Sequence, residues 1–450
     1  MSEQGGPPRS RYTVPKATGR GERAAPEPYM PSGSRGAADP HASGAASAGS
    51  PMGFTPGKPD PSRPSVQLKK GKARPVWAGH PWVYSGALEP FPAQVTPGTL
   101  VSVLDDQGRY VGVGAANPTA RIAVRMLGFE FGPLEAELRR RIRAARELRA
   151  RFGLPGPTTT AFRLVNGEGD HLPGVIVDVF GQLVSVQLTT AAAESWLETL
   201  LNVLESELQP LGITVSVPED SARLENIAPG DRFGRGELEA HVPFLENGIE
   251  WRLLPGKGQK TGFYSDQRDN RTRLAALCAD ASVLDCFCYT GGFGLNALKA
   301  GAREVVGVDS SGPAVSVAHG TAEQNGLTGG TWHKEDVMRY LKADERQWDV
   351  LVLDPPKFAR TRDALDDAFR KYLSLNALGL TRVKPGGLLM TCTCSGLVDD
   401  TMFLRMLTDA ALSAGRRVTV LGVHGTGPDH PIPVACPESR YLTAVLARVD

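Results

Sequence analysis

Cys392 and Cys394 stand one residue apart in Thr391-Cys-Thr-Cys-Ser-Gly396, and upstream of them Asp354 opens the run Asp354-Pro-Pro-Lys-Phe358. A thiolate beside a carboxyl group can add to C6 of a cytosine and turn C5 into a nucleophile, while the acid interacts with N3 as charge develops there. Loss of the C5 proton to a base then lets the thiolate leave. Alternation along a strand puts Cys392 and Cys394 on one side and Thr391 and Thr393 on the other. Cys394, nearer the strand end, is the better-placed nucleophile, and Cys392 is expected to lie deeper and be inert. Cys286 and Cys288 are expected to be small packing residues. Cys-x-Cys spacing is not the pattern of common zinc sites, so no metal is expected. The two prolines lack amide donors and stiffen the loop, holding Asp354 and Phe358 towards a pocket where a carboxylate can meet a base edge and a ring can stack.

A nucleophilic carbon needs a donor, and Leu284-Asp-Cys-Phe-Cys-Tyr-Thr-Gly-Gly-Phe-Gly294 is where one could bind. Asp285 ends an apolar strand, and the Gly-rich turn that follows lets a ligand lie against bare backbone. A second strand ends at Asp309, placed to accept hydrogen bonds from a ribose diol. Nicotinamide dinucleotides and S-adenosylmethionine both suit that geometry. The turn reads Gly-Gly-x-Gly rather than the G-x-G-x-x-G that seats a pyrophosphate on a helix N-terminus, so no diphosphate is indicated. Asp336, after a third strand, is placed to meet the adenine amine.

The elements that must position these residues are legible as blocks. After Glu250, strands at Ser282–Asp285, Val305–Asp309, Asp349–Asp354, Gly387–Thr391 and Val418–Val423 alternate with helices, which predicts a doubly wound, Rossmann-like α/β sheet with ligands beyond its carboxyl ends. Residues 1–65 are Gly, Pro, Ser and Arg rich and are expected to be a disordered tail. From 66 to 133 short strands such as Leu100–Leu104 and Ile122–Met126 predict a small β-rich module. Residues 134–160 read as a helical linker, with Leu134 to Arg151 helical and Pro155-Gly-Pro157 a break. Residues 161–249 read as an α+β module of two strands, a helix and two more strands, the last near Glu239–Glu246. Basic and acidic residues nearly cancel, 50 against 49, so any nucleic-acid surface must be local. No apolar run of transmembrane length and no secretory signal are seen, and six clustered cysteines suit a reducing cytoplasm.

Taken together, these motifs resemble the bacterial ribosomal RNA large-subunit methyltransferase I family, PUA-domain-containing 23S rRNA 5-methylcytosine methyltransferases of class I. The resemblance runs from Val66 to the C-terminus. It is carried by Lys69-Lys-Gly-Lys72 with His80-Pro-Trp-Val-Tyr-Ser-Gly-Ala87, by Arg163-Leu-Val-Asn-Gly-Glu-Gly-Asp170 and Leu172-Pro-Gly-Val-Ile-Val-Asp178, and by Gly258-Gln-Lys-Thr-Gly-Phe-Tyr-Ser-Asp-Gln-Arg-Asp-Asn-Arg271. The Gly-rich turn, Asp354-Pro-Pro, Cys394-Ser-Gly396 and Asp429-His-Pro431 complete the set. It implies a PUA-like RNA-binding module at 66–133 and a methyltransferase domain at 250–450 that uses S-adenosylmethionine, acting in the cytoplasm on ribosomal RNA, with a homodimer left open. On this reading the cofactor is held by Asp285, Phe287, Tyr289, Thr290 and Gly291, by Asp309 and Ser310, and by Asn325, Asp336 and Asp354. Catalysis falls to Cys394 and Asp354. RNA contacts fall to Lys69, Lys70, His80 and Trp82, with Lys72 and Arg74 beside them, and to Lys260, Arg268, Lys357 and Phe358. Methylation of another RNA atom, such as guanine N7, and a non-catalytic RNA-binding assembly factor stay open as alternatives. The tail and the Cys392/Cys394 doublet depart from the family pattern.

Overall fold

A computed structural model describes residues 57–237, 241–253, 263–359 and 361–450. The expected tail lies outside them as far as residue 56, and so does Lys260. Residues 57–65 correct the expectation of disorder: Arg63 donates to the Phe131 carbonyl at 2.6 Å, and Ser65 pairs with Ser102.

The first module is a five-stranded sheet in the order β1-β3-β4-β5-β2. Its strands are β1 (Ser65–Gln67), β2 (Trp82–Tyr84), β3 (Leu100–Leu104), β4 (Tyr110–Ala116) and β5 (Ile122–Gly128), with a short helix α1 (Ala73–Trp77) between the first two. The stretch expected to be a linker is instead a core element. Helix α2 (Leu134–Arg151) buries Leu138, Ile142 and Ala145 in a cluster shared with Tyr110, Val113 and Phe131 of the first module and with Leu164, Val177 and Val186 of the next. Each aliphatic side chain buried this way contributes roughly 1.5–3 kcal/mol, so the helix joins the two modules rather than spacing them.

The middle sheet has one strand more at its start than the sequence pattern implied. It runs β10-β9-β8-β7-β6, formed by β6 (Ala161–Asn166), β7 (Val175–Phe180), β8 (Leu183–Leu188), β9 (Gly212–Val217) and β10 (Gly230–Gly236). Helices α3 (Ala191–Ser195), α4 (Leu197–Leu208) and α5 (Glu219–Glu225) connect its later strands. The strand expected near Glu239–Glu246 does not join this sheet. As β11 (Val242–Glu246) it forms a hairpin with β12 (Ile249–Leu253), so the expected boundary at 249/250 falls inside a paired unit. Phe244, Trp251 and Phe263 of this region bury against the last module, their rings 5.0–5.1 Å apart.

The last module is the predicted doubly wound sheet, seven-stranded in the order β15-β14-β13-β16-β17-β19-β18. Its strands are β13 (Ser282–Cys286), β14 (Glu304–Asp309), β15 (Gly330–Lys334), β16 (Trp348–Leu353), β17 (Val383–Thr393), β18 (Val418–His424) and β19 (Thr443–Val449). Helices α6 (Arg268–Ala275), α7 (Gly292–Lys299), α8 (Gly312–Gln324), α9 (Val337–Ala343), α10 (Leu365–Leu380) and α11 (Asp400–Ala414) accompany them. Val350 and Val352 face one core cluster and Leu351 and Leu353 the other. Burial on both faces explains why these strands read as continuous apolar runs. β19, not anticipated from the sequence, runs antiparallel between β17 and β18. The strand order reverses at β13, which pairs with β14 on one side and β16 on the other. A crevice is expected where it does so, and Asp285 and Asp354 lie at its two lips. Among the described residues no helix is long and apolar enough to cross a membrane.

Candidate active site

Asp285 is buried at the end of β13, where its Oδ2 accepts the Gly294 amide at 2.8 Å and its Oδ1 has no hydrogen-bond partner. Burial lifts its pKa to about 7, with Asp354 and Asp309 adding to the rise against the Gly294 amide. An unsatisfied carboxylate oxygen is costly unless something cationic or hydrogen-donating comes to it. The turn that follows holds Phe287 and Tyr289 at φ 60° and 50°, a left-handed conformation that costs non-glycine residues energy and tends to be kept at functional sites. At Gly291, φ 86°, a Cβ would come within 3.0 Å of Ala318 and of the Trp332 ring. Asp309 ties this turn down from β14: Oδ2 accepts the Tyr289 amide at 2.9 Å and Oδ1 the Ser311 amide at 2.8 Å. Thr290 is half-buried and Ser310 exposed beside it. Asp336 is exposed and caps α9, its Oδ1 accepting the Arg339 amide at 2.8 Å. The orphaned acceptor, the bare-backbone turn and the second carboxylate fit a cationic, adenosine-bearing cofactor.

Asn325 is a correction. It caps the C-terminal end of α8, where Oδ1 accepts the Glu250 amide and Nδ2 donates to the carbonyls of Glu250 and Thr321, each at 2.8 Å. Helix α8 starts beside the carboxyl end of β14 and runs back, so Asn325 sits at the opposite end of the sheet and fastens β12.

On the other lip, Asp354 Oδ1 accepts from Gln267 Nε2 at 3.1 Å, and the Asp354 amide reaches the Cys286 carbonyl at 3.4 Å. Gln267 is fixed in turn by Asn270, which donates to its Oε1 at 2.7 Å and to the Gly425 carbonyl at 3.1 Å. β17 ends at Thr393, and Cys394 follows it. Of the six cysteines Cys394 alone is not buried. Burial drives the Cys392 thiol far above its ordinary pKa, with Asp354 adding, although Gln267 also hydrogen-bonds to it. Burial likewise raises the thiols of Cys286 and Cys288. Tyr264 stands between the two lips. Its ring meets that of Tyr289 edge-on at 5.3 Å, and burial raises its hydroxyl pKa, with Tyr289, Asp266, Cys394 and Asp354 adding.

The expected RNA contacts divide. Lys69, Lys70, Lys72 and Arg74 form an exposed basic run around the start of α1, and Lys357 is exposed beside Asp354. Phe358 is half-buried, 4.8 Å from the ring of Tyr372, and packs there. Arg268 is a correction: it is buried in a bidentate pair with Asp429, at 2.9 and 3.0 Å. Its charge is consumed within the fold. Trp82 and His80 are corrections as RNA contacts, since both are half-buried between modules. Trp82 Nε1 donates to Glu168 Oε1 at 2.8 Å and Arg125 bridges Glu168 and Glu225, so Trp82 fastens the first module to the second, while His80 lies edge-on to Trp82 at 6.0 Å and turns towards Glu438 of the last module.

His80, Cys436 and Glu438 place their ligand atoms within 4.8 Å of one another. The Trp82 amide donates to His80 Nδ1 at 3.1 Å, so the neutral ring carries its proton on Nε2, which faces Glu438 Oε2 at 3.6 Å. A nitrogen that holds a proton offers no lone pair to a metal, and the contact with Glu438 is polar without being a hydrogen bond.

Gln267, Tyr264 and Tyr372 were not singled out from the sequence. The first two lie inside the motif Gly258 to Arg271, so a signal was present. Nothing local marks Tyr372.

Residues 66–129 match the PUA-like domain family, and residues 232–419 match the S-adenosylmethionine-dependent methyltransferase family. A ribosomal RNA large subunit methyltransferase I of Shewanella denitrificans is 38% identical over 394 residues, covering 85% of this chain and 99% of that protein. A protein of the same name from Salmonella arizonae is 34% identical over 401 residues, 86% of this chain and 98% of its own length. Among solved structures, SMU.776, described as a candidate methyltransferase in complex with SAH, matches with TM-score 0.75 at 20% identity, over 86% of this chain and all of that one. A candidate SAM-dependent methyltransferase from Streptococcus mutans gives 0.73, also at 20% identity and over the same shares. The fold is that of a PUA-like domain followed by a class I methyltransferase, and the cofactor is S-adenosylmethionine. The chain belongs to the ribosomal RNA large subunit methyltransferase I family.

Proposed function

We propose that this protein methylates C5 of a cytosine in large-subunit, 23S-type ribosomal RNA through a covalent bond between Cys394 and C6 of the base. The observation that carries the reading is the contrast within the cysteine doublet. Cys392 is fully buried, while Cys394, two residues on, is partly exposed and shares the neighbourhood of Tyr264 with Asp354.

S-adenosylmethionine, when bound, supplies the methyl group. Asp285, Asp309 and the turn from Phe287 to Gly291 hold it. The basic run at Lys69 to Arg74 takes RNA phosphates, a sequence-independent contact that positions the substrate. Cys394, as thiolate, forms the Sγ–C6 bond as the C5=C6 π bond breaks, and Asp354, oriented by Gln267 and acting as the acid, gives a proton to N3. After C5 has been substituted, a base takes its proton, the C5=C6 bond re-forms as the S–C6 bond breaks, N3 returns its proton to Asp354, and the thiolate is recovered.

The reading is tested with RNA carrying 5-fluorocytidine, which cannot lose a proton from C5. A denaturation-resistant protein–RNA adduct is expected from the wild type and not from Cys394→Ala, whereas Cys392→Ala still forms it. Methylation without any adduct would move the reaction to another RNA atom. Mass-spectrometric mapping of ribosomal RNA from a deletion strain is expected to show one missing 5-methylcytosine in the large-subunit RNA.

A further inference from the structure

The phenol of Tyr372 connects the two loops that carry the proposed chemistry. Tyr372 lies on α10 with no exposed surface, and its ring is held between Phe358 at 4.8 Å and Phe403 at 5.7 Å. Its hydroxyl stands 2.8 Å from Thr393 Oγ1 and 3.3 Å from Ser395 Oγ, the residues on either side of Cys394. Thr393 Oγ1 accepts the Ser395 amide at 3.2 Å, which closes a ring of hydroxyls and backbone around the turn. From the Asp354 side, the Phe358 ring packs on the phenol at 4.8 Å and the Ala359 amide donates to Ser395 Oγ at 3.3 Å. Thr393 and Ser395 are fully buried and Cys394 between them is not. The backbone is therefore gripped on both flanks of the one cysteine that is not buried.

A buried hydroxyl costs stability unless its hydrogen bonds are made, and a phenylalanine would fill the same aromatic slot without that requirement. The Tyr372 oxygen spends its bonding capacity on the Cys394 turn, which Ser395 ties to the Asp354 loop through the Ala359 amide. We propose that Tyr372 is a positioning residue that sets the Cys394 thiol relative to the Asp354 loop. This rests on the reading of Cys394 as nucleophile. The residue touches neither base nor cofactor and acts through Thr393 and Ser395. A thiol displaced by about 1 Å from the line of attack can lose of order 100-fold in rate.

Tyr372→Phe keeps the ring and removes only the oxygen, and Thr393→Val removes the partner hydroxyl at similar volume. Thr393→Ser is the conservative control. Three quantities are measured on the full-length protein: S-adenosylmethionine affinity by calorimetry, the pH profile of Cys394 alkylation by iodoacetamide, and single-turnover adduct formation on 5-fluorocytidine RNA. Tyr372→Phe and Thr393→Val are each expected to slow adduct formation about 10- to 100-fold and to shift the alkylation profile, with cofactor affinity unchanged. The double variant should be no worse than either single one, and Thr393→Ser should behave as wild type. Wild-type alkylation and adduct rates in Tyr372→Phe would overturn the proposal. So would a loss of cofactor affinity and melting temperature in parallel with rate, the mark of a general packing role. Alkylation involves no substrate, so it reads the thiol's placement even if the wild type gives no adduct, the result that would sink the cytosine reading alone.

Discussion

Two buried groups of charge in this protein look alike in sequence and behave oppositely. At the strand ends, Asp285 keeps one oxygen without a partner and its pKa is raised to about 7. At the joint between the middle and last modules, every acceptor of Asp429 is used: Arg268 takes both oxygens, the Arg163 amide donates to Oδ2 at 3.0 Å, His430 meets Oδ1 at 3.1 Å, and Arg149 donates to the backbone carbonyl at 2.6 Å. Burial alone would raise the Asp429 pKa, but His430 and Arg268 outweigh it and hold the carboxyl well below the ordinary range. Saturated charge is scaffold. Charge left with spare bonding capacity in a crevice is where a ligand is wanted.

The sharpest way to break this contrast is Asp429→Ala, which strands Arg268. It is expected to cost about 3–5 kcal/mol in urea unfolding, while cofactor affinity of the remaining folded protein stays near wild type. A loss under about 1 kcal/mol would mean that the joint is not what holds the modules. Asp285→Asn should do the reverse: stability within about 1 kcal/mol of wild type, with S-adenosylmethionine bound at least about tenfold more weakly, some 1.4 kcal/mol.

The two carboxyls also pull stability in opposite directions with pH. Asp285 is raised in the fold, so its contribution is intact below about pH 4, where the unfolded carboxyl is still protonated, and is eroded as pH climbs from there to about 7. Asp429 is depressed, so its contribution is present above about pH 4 and is lost as pH falls below that. Unfolding midpoints measured from pH 3 to 8 should flatten between 4 and 7 in Asp285→Asn and at the acid end in Asp429→Ala. Because the cofactor is cationic, its affinity should rise up to about tenfold per unit as pH approaches 7, with proton release in calorimetry that Asp285→Asn abolishes.

The smallest expected effect separates free cations from consumed ones. Lys69→Ala with Lys70→Ala should lower the slope of log K against log salt for RNA by about two, with melting temperature unchanged. Arg268→Met should leave that slope alone and lower the melting temperature. A salt slope that responds to Arg268 would restore it as a phosphate contact.

The strand-end site was legible because its signals are local. An apolar run, a carboxylate and a Gly-rich turn appear in order, and Asp285, Asp309, Asp354 and Cys394 all sit where their strands end. What was misread depends on partners remote in sequence. Arg268 is neutralised by a residue 161 positions away and Trp82 is hydrogen-bonded to one 86 away, and no local pattern announces either. Asn325 follows the strand–helix order correctly but lies one helix length too far along, where the chain has returned to the other end of the sheet. The strand Glu239–Glu246 was sensed but assigned to the wrong sheet, because a hairpin partner at Ile249–Leu253 competes with the middle module. Tyr372 was invisible for a different reason: only the three-dimensional meeting of two loops gives its hydroxyl a task.

The place of β19 in the sheet has a consequence for how the protein is made. Thr443–Val449 is inserted between β17 and β18, pairing with both. While the ribosome is still elongating, the first two modules can complete their sheets, since none of their strands lies beyond Gly236. The seven-stranded sheet must wait with β17 and β18 apart until the seven residues of β19 emerge. The nascent chain can therefore close its first two sheets before the one that carries Asp285 and Cys394 is complete.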